Sequence, residues 1–432
     1  MTNYIQVTRI SHEISGLVYC LDSPTTEEIR HSKSFLLKVS GWVLFDKKPV
    51  DVILQINGKE SIHPCERIRN DVVSALNNNS EAQCGFLIPV VYPVDLKIGF
   101  IINGAAVWVA SVKIKPTPKV LLGLEGYLFL DNDTNMSVDQ YTGKTLMSDD
   151  SLSLWEEYFQ KLSAYTNGKK SSYIFTLAPS KELILSQFYP YRKNSITPIE
   201  QFLIAFNKFK IFYPLDVLQK TGALSYSKID THWTDYGAAI VVNSMLGLLN
   251  IEPKEPFPFP FNVKRISGDL GSKVPQIITQ DILKADYSSI DKYKVFDNKI
   301  LNRGWIRVYE NEKSLRKEKV IIFGDSFSTI MVPYLASIFN KVIAIVSGAR
   351  IDYEILENEN PDYIICELTT RFLIQSPDKN YSVSDDCLRK INNMAENERD
   401  TYINDIVQDT TDKYKFFLQK TLSDVSTGST PA

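Results

Sequence analysis

One short stretch of this chain combines residue types that work together in nucleophilic catalysis. The segment "IDTHWTDYGA" runs from Ile229 to Ala238 and contains Asp230 and His232. The chain has four histidines, and the other three lie near its beginning. Histidine is the usual general base near neutral pH, and a carboxylate beside it can hold the required tautomer. The pair therefore predicts the basic half of a catalytic triad.

A matching nucleophile is found in the segment "VIIFGDSFS". Ser326 follows an apolar strand and precedes a helical pattern, so we expect it at the carboxyl edge of a parallel sheet, where α/β proteins place their sites. Gly324 permits a tight turn there. At the amino end of the following helix, the Ser326 N–H is expected to stabilise an oxyanion. We predict Ser326 as nucleophile, His232 as general base and acid, and Asp230 as the orienting carboxylate.

Each of these residues also has a purely structural interpretation. Ser326 suits the N-cap of the helix that follows it, and Thr234 or Asp235 suits a cap after His232. On that interpretation His232 is only a packing residue. The combination of an isolated histidine, a neighbouring aspartate and a serine at a buried strand end favours the catalytic interpretation.

The chain changes its pattern near residue 118. Short β-branched and aromatic segments separated by turn residues predict an all-β sandwich over residues 1–117. Alternating strands and helices then predict a parallel α/β domain over residues 118–420. Residues 421–432 are expected to form a disordered tail.

Composition limits the class of protein. The net charge of −3 and the pI near 6.0 give no basic footprint for nucleic acid. The five cysteines are scattered without C-x-x-C spacing, which indicates free thiols rather than a disulfide framework or a zinc site. We expect no metal and no bound cofactor. The opening residues lack a signal-peptide pattern and no apolar run reaches bilayer length, so we expect a cytoplasmic protein, either free or peripheral to the inner membrane.

These motifs together resemble a known family. The order of "DTHW" before "GDSFS" is similar to the permuted SGNH-hydrolase domain of the alginate O-acetyltransferase family, in which a D-x-H-W motif precedes the nucleophile motif. Three further segments resemble family segments in the same order: "LEGYLFLDND" (124–133), "LAPSKELILSQFYP" (177–190) and "PDYIICELTTRFL" (361–373). The resemblance covers about residues 120–375. It implies an SGNH/flavodoxin-like three-layer α/β/α fold, with Ser326, His232 and Asp230 in the catalytic roles.

The resemblance also implies further site residues. Lys181 and Arg371 follow apolar strands at the expected substrate edge, where each either binds a hydroxyl-rich or anionic sugar or forms a surface salt bridge. Gly348 is assigned to the oxyanion site by analogy, and no downstream asparagine supplies the other usual donor. Trp233 either forms a wall beneath the imidazole or contacts substrate.

The first domain has a resemblance of its own. The segments "VSGWVLF", "RIRNDV" (67–72) and "QCGFLIPV" (83–90) are similar to small β-sandwich modules found beside glycosyltransferases and other polysaccharide-building enzymes. This implies a carbohydrate-related accessory domain. Trp42 and Trp108 either stack on a sugar ring or belong to the core.

Three functions fit this pattern. The leading hypothesis is a serine-dependent O-acetyltransferase that modifies a bacterial cell-envelope polysaccharide or its precursor, alongside other glycan-assembly enzymes. The alternatives are a carbohydrate esterase with the same triad and water as acceptor, and a non-catalytic glycan-binding scaffold. Alginate enzymes are exported and receive acetyl groups through a membrane partner. Because this chain shows no export signal, acetyl-CoA is the hypothesised donor, although no phosphate-binding glycine loop marks a site for it.

Overall fold

The structure is a computed structural model, and it describes most of the chain. The described residues are 3–10, 14–25, 27–29, 36–56, 58–76, 80–91, 95–116, 120–252, 257–274, 277–418 and 421–422. The chain divides into two compact units, the first comprising Met1–Leu121 with Lys273–Gln276, and the second comprising Leu122–Ser272 with Ile277–Ala432. Sequence patterning places the change at residues 117 and 118, which lie outside the described residues. Most of the predicted tail, 421–432, also lies outside them.

The first unit is built almost entirely from strands. Its elements are β1 (Asn3–Arg9), β2 (Leu17–Ser23), β3 (Glu27–Ile29), β4 (Leu36–Phe45), β5 (Val52–Ile56), β6 (Lys59–His63), α1 (Asn70–Leu76), β7 (Gly85–Val91), β8 (Asp95–Ile102) and β9 (Ala105–Pro116). The strands form a six-stranded sheet in the order β3-β1-β9-β8-β5-β6 and a three-stranded sheet in the order β2-β4-β7. Neighbouring strands in both sheets are antiparallel.

The two sheets share one apolar core. Val39 on β4 and Phe86 on β7 belong to the same buried cluster as Leu54 on β5 and Phe100 on β8. The alternation of inward apolar side chains along these strands explains why the sequence pattern predicted them. The short strands β1, β2, β3 and β6 and the helix α1 were not predicted from the sequence.

The second unit alternates strands and helices after β10 (Val120–Leu122), which spans the boundary between the units. Its strands are β11 (Leu128–Leu130), β12 (Ser172–Ala178), β13 (Ile211–Phe212), β14 (Phe261–Ile266), β15 (Gln280–Ala285), β16 (Lys294–Asp297), β17 (Ile306–Glu310), β18 (Arg316–Gly324), β19 (Phe339–Val346) and β20 (Tyr363–Thr369). Its α-helices are α2 (Ser137–Tyr141), α3 (Asp149–Lys169), α4 (Lys181–Ile184), α5 (Pro198–Ala205), α6 (Leu215–Thr221), α7 (Asp235–Leu248), α8 (Gly268–Gly271), α9 (Ser288–Asp291), α10 (Ser328–Ile338), α11 (Tyr353–Glu359), α12 (Val383–Asn392) and α13 (Glu396–Asp409). Short 3-10 helices are Leu124–Gly126, Ser186–Phe188, Gly222–Leu224, Thr370–Phe372 and Asp412–Tyr414.

A seven-stranded sheet organises this unit, in the order β13-β12-β20-β18-β19-β17-β16. The first five strands in this order, β13-β12-β20-β18-β19, are parallel. By contrast, β17 is antiparallel to β19, and β16 is antiparallel to β17. The parallel sheet predicted from the sequence is therefore found in five strands, and two antiparallel strands extend it at one edge. The loop from Asn298 to Trp305 joins β16 directly to β17, and a connection that short turns the chain back antiparallel.

The parallel strands bury side chains in both directions. On β18, Ile321 and Phe323 join a large cluster that includes Trp155 and Phe159 of α3. On β12, Thr176 points the other way, and its hydroxyl contacts the Met245 sulfur of α7 at 3.5 Å. Because both sides are covered, the strands read as nearly continuous apolar runs. Among the described residues, no helix is long and apolar enough to cross a membrane.

Candidate active site

The predicted nucleophile lies where β18 ends and α10 has not yet begun. Gly324 is the last residue of β18, and Ser326 lies in the turn before Ser328 opens α10. A Cβ on Gly324 would lie only 2.3 Å from the Ser328 Cβ, so this tight turn requires glycine. The hydroxyl of the half-buried Ser326 faces a cavity rather than the core.

The backbone amides of this turn are almost all engaged by carboxylates. Oε2 of Glu367, which lies on β20, accepts hydrogen bonds from the amides of Asp325 and Ser328, at 3.0 and 3.1 Å. The Asp325 carboxylate accepts from the Phe327 amide at 2.8 Å. By contrast, the Ser326 amide donates to no residue within the described part of the chain. An unengaged N–H beside the nucleophile is what an oxyanion donor requires, as the sequence predicted for the Ser326 amide.

The structure brings His232 and Asp230 together with Ser326. His232 Nε2 lies 2.8 Å from Ser326 Oγ, across a separation of 94 residues in the chain. His232 Nδ1 lies 2.7 Å from Asp230 Oδ1. Each ring nitrogen therefore has one partner, which is the arrangement that lets a histidine accept the serine proton while a carboxylate holds its ring.

Asp230 is held as an ionised carboxylate. Burial by itself raises the pKa of this carboxyl, but hydrogen bonds from the His232 ring and amide and from the Asp269 amide outweigh burial and hold the pKa below its ordinary value. Its Oδ2 accepts from the Asp269 amide at 3.1 Å. Both oxygens are thus occupied by donors, and the negative charge is directed at the imidazole.

Asp269 and Gly268, which are neighbours in the chain, hold the loop that carries Asp230 and His232. The Asp269 carboxylate accepts hydrogen bonds from the Thr231 amide and hydroxyl, both at 2.7 Å. Beside it, Gly268 has φ of 61°, and a Cβ there would lie 2.3 Å from the Ile229 carbonyl oxygen. Glycine is needed for this close approach. The segment that begins with Gly268 therefore fixes the position of the loop that carries Asp230 and His232.

Trp233 is a buried side chain that also lines the cavity beside Ser326. Its side chain is 1% exposed, and its Nε1 donates to the Phe327 carbonyl oxygen at 3.1 Å. The Phe327 ring lies 4.9 Å from the His232 ring and 5.0 Å from the Trp233 ring. The two aromatic side chains thus join the loop after β18 to the loop before α7. Thr234 then caps α7, because its hydroxyl accepts from the Gly237 amide at 3.1 Å.

The expected substrate-contacting role of Lys181 is corrected by its position. Its side chain is 3% exposed and does not line the cavity beside Ser326. Nζ donates to the backbone carbonyl oxygens of Lys228 and Asp230, at 3.0 and 2.9 Å. Burial lowers the pKa of Lys181 to about 7. Lys181 therefore holds the backbone of the Asp230 loop on the side away from the cavity.

Gly348 and Arg371 follow β19 and β20 as expected, but neither side of the prediction about their contacts with substrate is matched by their hydrogen bonds and packing. The Gly348 amide donates to the Gly324 carbonyl oxygen at 2.8 Å, so it is not free to bind an oxyanion. The Arg371 guanidinium lies over the rings of Phe327 and Phe372, at 5.5 and 4.8 Å. It lines a separate small cavity with Glu182, to which no triad residue contributes. The oxyanion role that analogy assigned to Gly348 does not fit this hydrogen bond.

A cavity of about 250 Å³ opens beside the triad, all within the second unit. Asp230, His232 and Ser326 line it together with Trp305 and Lys284. Sequence reasoning missed the last two, as well as Asp269 and Glu367. For Glu367 a signal existed, because it lies in the family-like segment "PDYIICELTTRFL" (361–373), four residues before Arg371. For Trp305 and Asp269 no pattern in the sequence indicated proximity to Ser326.

One group of side chains within the described residues has the proximity of a metal site. Donor atoms of Asp230, His232 and Asp269 lie within 4.8 Å of one another. Each of them already has hydrogen-bond partners: Asp230 binds His232 and the Asp269 amide, and Asp269 binds Thr231. We interpret the cluster as a hydrogen-bond network that holds the catalytic loop.

The two tryptophans considered in the first unit are half-buried. Trp42 packs against the buried residues Leu44, Val72 and Cys84. Trp108 has the Lys97 ammonium 5.8 Å from its ring centroid.

Comparison with known proteins gives structural matches only. Neither a protein-family model nor a curated protein matches this chain. Among solved structures, PatB1 of Bacillus cereus is 15% identical with a TM-score of 0.44, and the match covers 60% of this chain and 97% of that one. The O-acetyltransferase domain of AlgJ from Pseudomonas putida is 15% identical with a TM-score of 0.39, covering 67% and 99%. A DHHW family protein from Eubacterium siraeum is 15% identical with a TM-score of 0.39, covering 60% and 96%.

The matches thus include an O-acetyltransferase domain. At these identities and TM-scores the likeness carries no argument about activity, which rests on the site itself.

Proposed function

We propose that this chain is a serine-dependent O-acetyltransferase that acts on a bacterial surface polysaccharide or its precursor. The observation that carries the proposal is the continuous hydrogen-bonded series from Asp230 through His232 to Ser326, at 2.7 and 2.8 Å. The unengaged amide of Ser326 adds an oxyanion donor at the nucleophile itself.

The residues support a two-step mechanism. In the first step Ser326 Oγ attacks the acetyl carbonyl of the donor while His232 Nε2 takes the serine proton. The Ser326 amide stabilises the oxyanion, and the leaving group departs with the proton from His232. In the second step a sugar hydroxyl attacks the acetyl-serine carbonyl, and His232 takes the hydroxyl proton. When the acyl–Oγ bond breaks, His232 returns that proton to Ser326. Asp230 keeps the ring aligned in both steps.

The fold assignments belong to the same proposal. We assign the second unit to the SGNH/flavodoxin-like three-layer α/β/α class, with its catalytic domain over residues 118–420. We assign residues 1–117 to a β-sandwich that serves as a carbohydrate-related accessory domain. The shared core of the two antiparallel sheets supports the second assignment.

The catalytic interpretation is preferred over a glycan-binding scaffold. A scaffold has no need for the serine, imidazole and carboxylate to stay in contact, whereas here they are at hydrogen-bond distance. An esterase would use the same three groups with water as the acceptor, so it remains the alternative enzyme. The acetyl donor we propose to test first is acetyl-CoA. That choice presupposes a cytoplasmic location, which stays a prediction.

One experiment separates these functions. The purified protein is incubated with acetyl-CoA or with an activated acetyl ester, with and without candidate oligosaccharides, and its intact mass is followed. An acetyl group on Ser326 that moves to sugar is expected for the transferase. An acetyl group lost only to water would favour the esterase.

Ser326→Ala is the matched control, because it removes only the nucleophilic hydroxyl. Its mass should not change under conditions in which the wild-type protein is acylated. If the wild-type protein is never acylated by either donor, both enzymatic functions are wrong.

A further inference from the structure

We propose that Trp305 is the platform on which the sugar ring of the acceptor stacks, and that the ring it receives is uncharged. This inference rests on the proposed acetyltransferase function and specifies the substrate class of the same site. No feature of the sequence assigned a role to this residue.

Trp305 lies at the same sheet edge as the nucleophile. Gly324, at the end of β18, pairs with Val346, at the end of the neighbouring β19. The Val346 amide in turn donates to the Trp305 carbonyl oxygen at 2.9 Å. Trp305 and Ser326 therefore extend from adjacent strand ends, and both line the cavity of about 250 Å³.

The indole ring is held in place before any ligand arrives. Its Nε1 donates to Asp297 Oδ1 at 2.8 Å, which anchors one edge. The Arg307 guanidinium lies 4.0 Å from the ring centroid and covers one face. In the part of the chain that the structure describes, no aromatic ring packs on Trp305, and its side chain is only half-buried. A rigid ring with one face covered presents the other face at little entropic cost.

The rest of the wall suits the apolar C–H face of a sugar. Ile266, Ile282 and Ile330 line the same cavity. Its volume is below the range of about 300–1,000 Å³ that is usual for pockets enclosing drug-sized ligands, so it suits a single ring. A hydroxyl of that ring would face Ser326 and His232, which are two of the polar groups that line the cavity.

The charges of the cavity are already neutralised by the protein. Besides His232, the ionisable side chains that line it are Asp230 and Lys284. Asp230 is hydrogen-bonded to His232, and the Lys284 ammonium is paired with the fully buried Asp235 at 2.9 Å. A uronate carboxylate in this cavity would lose water and find no free cation, which is costly. Arg303 lies beside Gly348 and does not line this cavity.

The test compares Trp305→Ala and Trp305→Phe with the wild-type protein. Acylation by 4-nitrophenyl acetate reports the donor half of the reaction, and transfer to tetrasaccharides reports the acceptor half. The neutral panel contains tetramers of glucose, N-acetylglucosamine, mannose and galactose, and tetragalacturonate is the charged comparison. Phe257→Ala is the matched control, because Phe257 is an exposed aromatic residue that does not line the cavity.

We expect Trp305→Ala to lower kcat/KM for the best neutral acceptor by about tenfold or more, because the variant lacks the ring on which the sugar stacks. Its acylation rate should change less than about twofold, and Trp305→Phe should lie between the two proteins. Phe257→Ala should transfer as the wild-type protein does. Equal transfer by Trp305→Ala and wild type would overturn the platform, and preference for tetragalacturonate would overturn the uncharged ring.

Binding to the Ser326→Ala protein gives a readout that does not depend on acylation. Calorimetry should detect a neutral tetrasaccharide, and adding Trp305→Ala should weaken that binding by about tenfold or more. If the wild-type protein forms no acyl-enzyme but this binding difference is found, the proposed function fails and the sugar platform stands. If no neutral tetrasaccharide binds, the platform is wrong.

Discussion

The ammonium of Lys181 donates a hydrogen bond of 2.9 Å to the backbone carbonyl oxygen of Asp230. A buried cation therefore holds the main chain of the residue whose side chain orients His232. The Lys181 Nζ also lies 5.1 Å from the centroid of the Phe129 ring, and within the described residues it forms no ion pair with a carboxylate. Its Nζ thus binds two backbone carbonyl oxygens, those of Lys228 and Asp230, which makes Lys181 a positioning residue.

The stability of the protein should record this burial as a pH dependence. The pKa of Lys181 is lowered to about 7 mainly by burial, although the charges of Asp230, Asp269 and Glu182 oppose the shift. The unfolded chain, with an ordinary lysine pKa of about 10.4, binds more protons than the folded one between about pH 7 and 10. The lysine contribution to the free energy of unfolding should therefore rise with pH across that window and be lost as the pH falls through about 7.

Urea unfolding of the wild-type protein and Lys181→Met checks this. The free energy of unfolding of the wild-type protein minus that of Lys181→Met should increase by an amount on the order of a few kcal/mol from pH 7 to pH 10. Taking the difference removes the titration of other groups. A difference that stays flat across this window would mean that Lys181 is not buried as a titrating group.

His232 and Asp230 should be required for acylation but not for folding. His232→Ala and Asp230→Asn should each reduce the rate of Ser326 acylation by about 10³-fold or more, because the base or its alignment is lost. Circular dichroism should show that both variants are folded, since the His232 side chain lies at the cavity rather than in the core. Retained acylation in either variant would mean that the triad is misassigned.

Glu367 should act as an acceptor for the nucleophile turn rather than as a charge. Burial, followed by the nearby charge of Asp325, raises the pKa of Glu367 well above its ordinary value, which favours the neutral acid. Glu367→Gln keeps a carbonyl oxygen for the amides of Asp325 and Ser328, so it should keep most of the acylation rate.

Glu367→Ala leaves both amides without an acceptor, and it should lose about 2–4 kcal/mol of stability and about 100-fold in acylation. Thermal unfolding and acylation kinetics of the two variants provide the comparison. Equal losses in Glu367→Gln and Glu367→Ala would show that the ionised carboxylate is required instead.

Asp269 should matter through Thr231 and not through charge at the imidazole. Asp269→Ala removes the acceptor for the Thr231 amide and hydroxyl but keeps the backbone amide that binds Asp230. We expect a loss of about 1–3 kcal/mol in stability and about tenfold in acylation. Asp281→Ala is the control, because Asp281 forms only an exposed ion pair with Arg265, which is worth little.

A double-mutant cycle with Thr231→Val tests the route. Since both changes remove the same hydrogen bond from the Thr231 hydroxyl, their effects should be less than additive. Fully additive effects on acylation would mean that Asp269 acts independently of Thr231.

Part of the candidate site could be read from the sequence because its contacts are local. Asp230 and His232 are two residues apart, so their hydrogen bond depends mainly on one short loop. Gly324 and Ser326 share a strand-to-helix turn whose residues are consecutive. The apolar runs of β12, β18 and β20 predicted buried strands for the same reason, since burial on both faces leaves a local composition signal.

The remaining residues could not be placed, because their roles depend on contacts between distant segments. β20 lies between β12 and β18 in the sheet, and this order alone brings Glu367 to the Asp325 amide, 42 residues away. Lys181 follows a strand in the expected way, but packing turned its ammonium beneath the Asp230 loop instead of toward the cavity. Gly348 was assigned to the oxyanion site by analogy, yet its amide donates to the Gly324 carbonyl oxygen.

The sequence by itself determined which residues can do chemistry: a histidine with its carboxylate on one loop and a serine at a strand end. Those choices depend on residue type and short-range geometry. Only the tertiary structure decided that the two loops meet at 2.8 Å, and that Trp305 and Asp269 complete the site. The physical reason is that strand order and side-chain packing bring together residues that no local pattern relates.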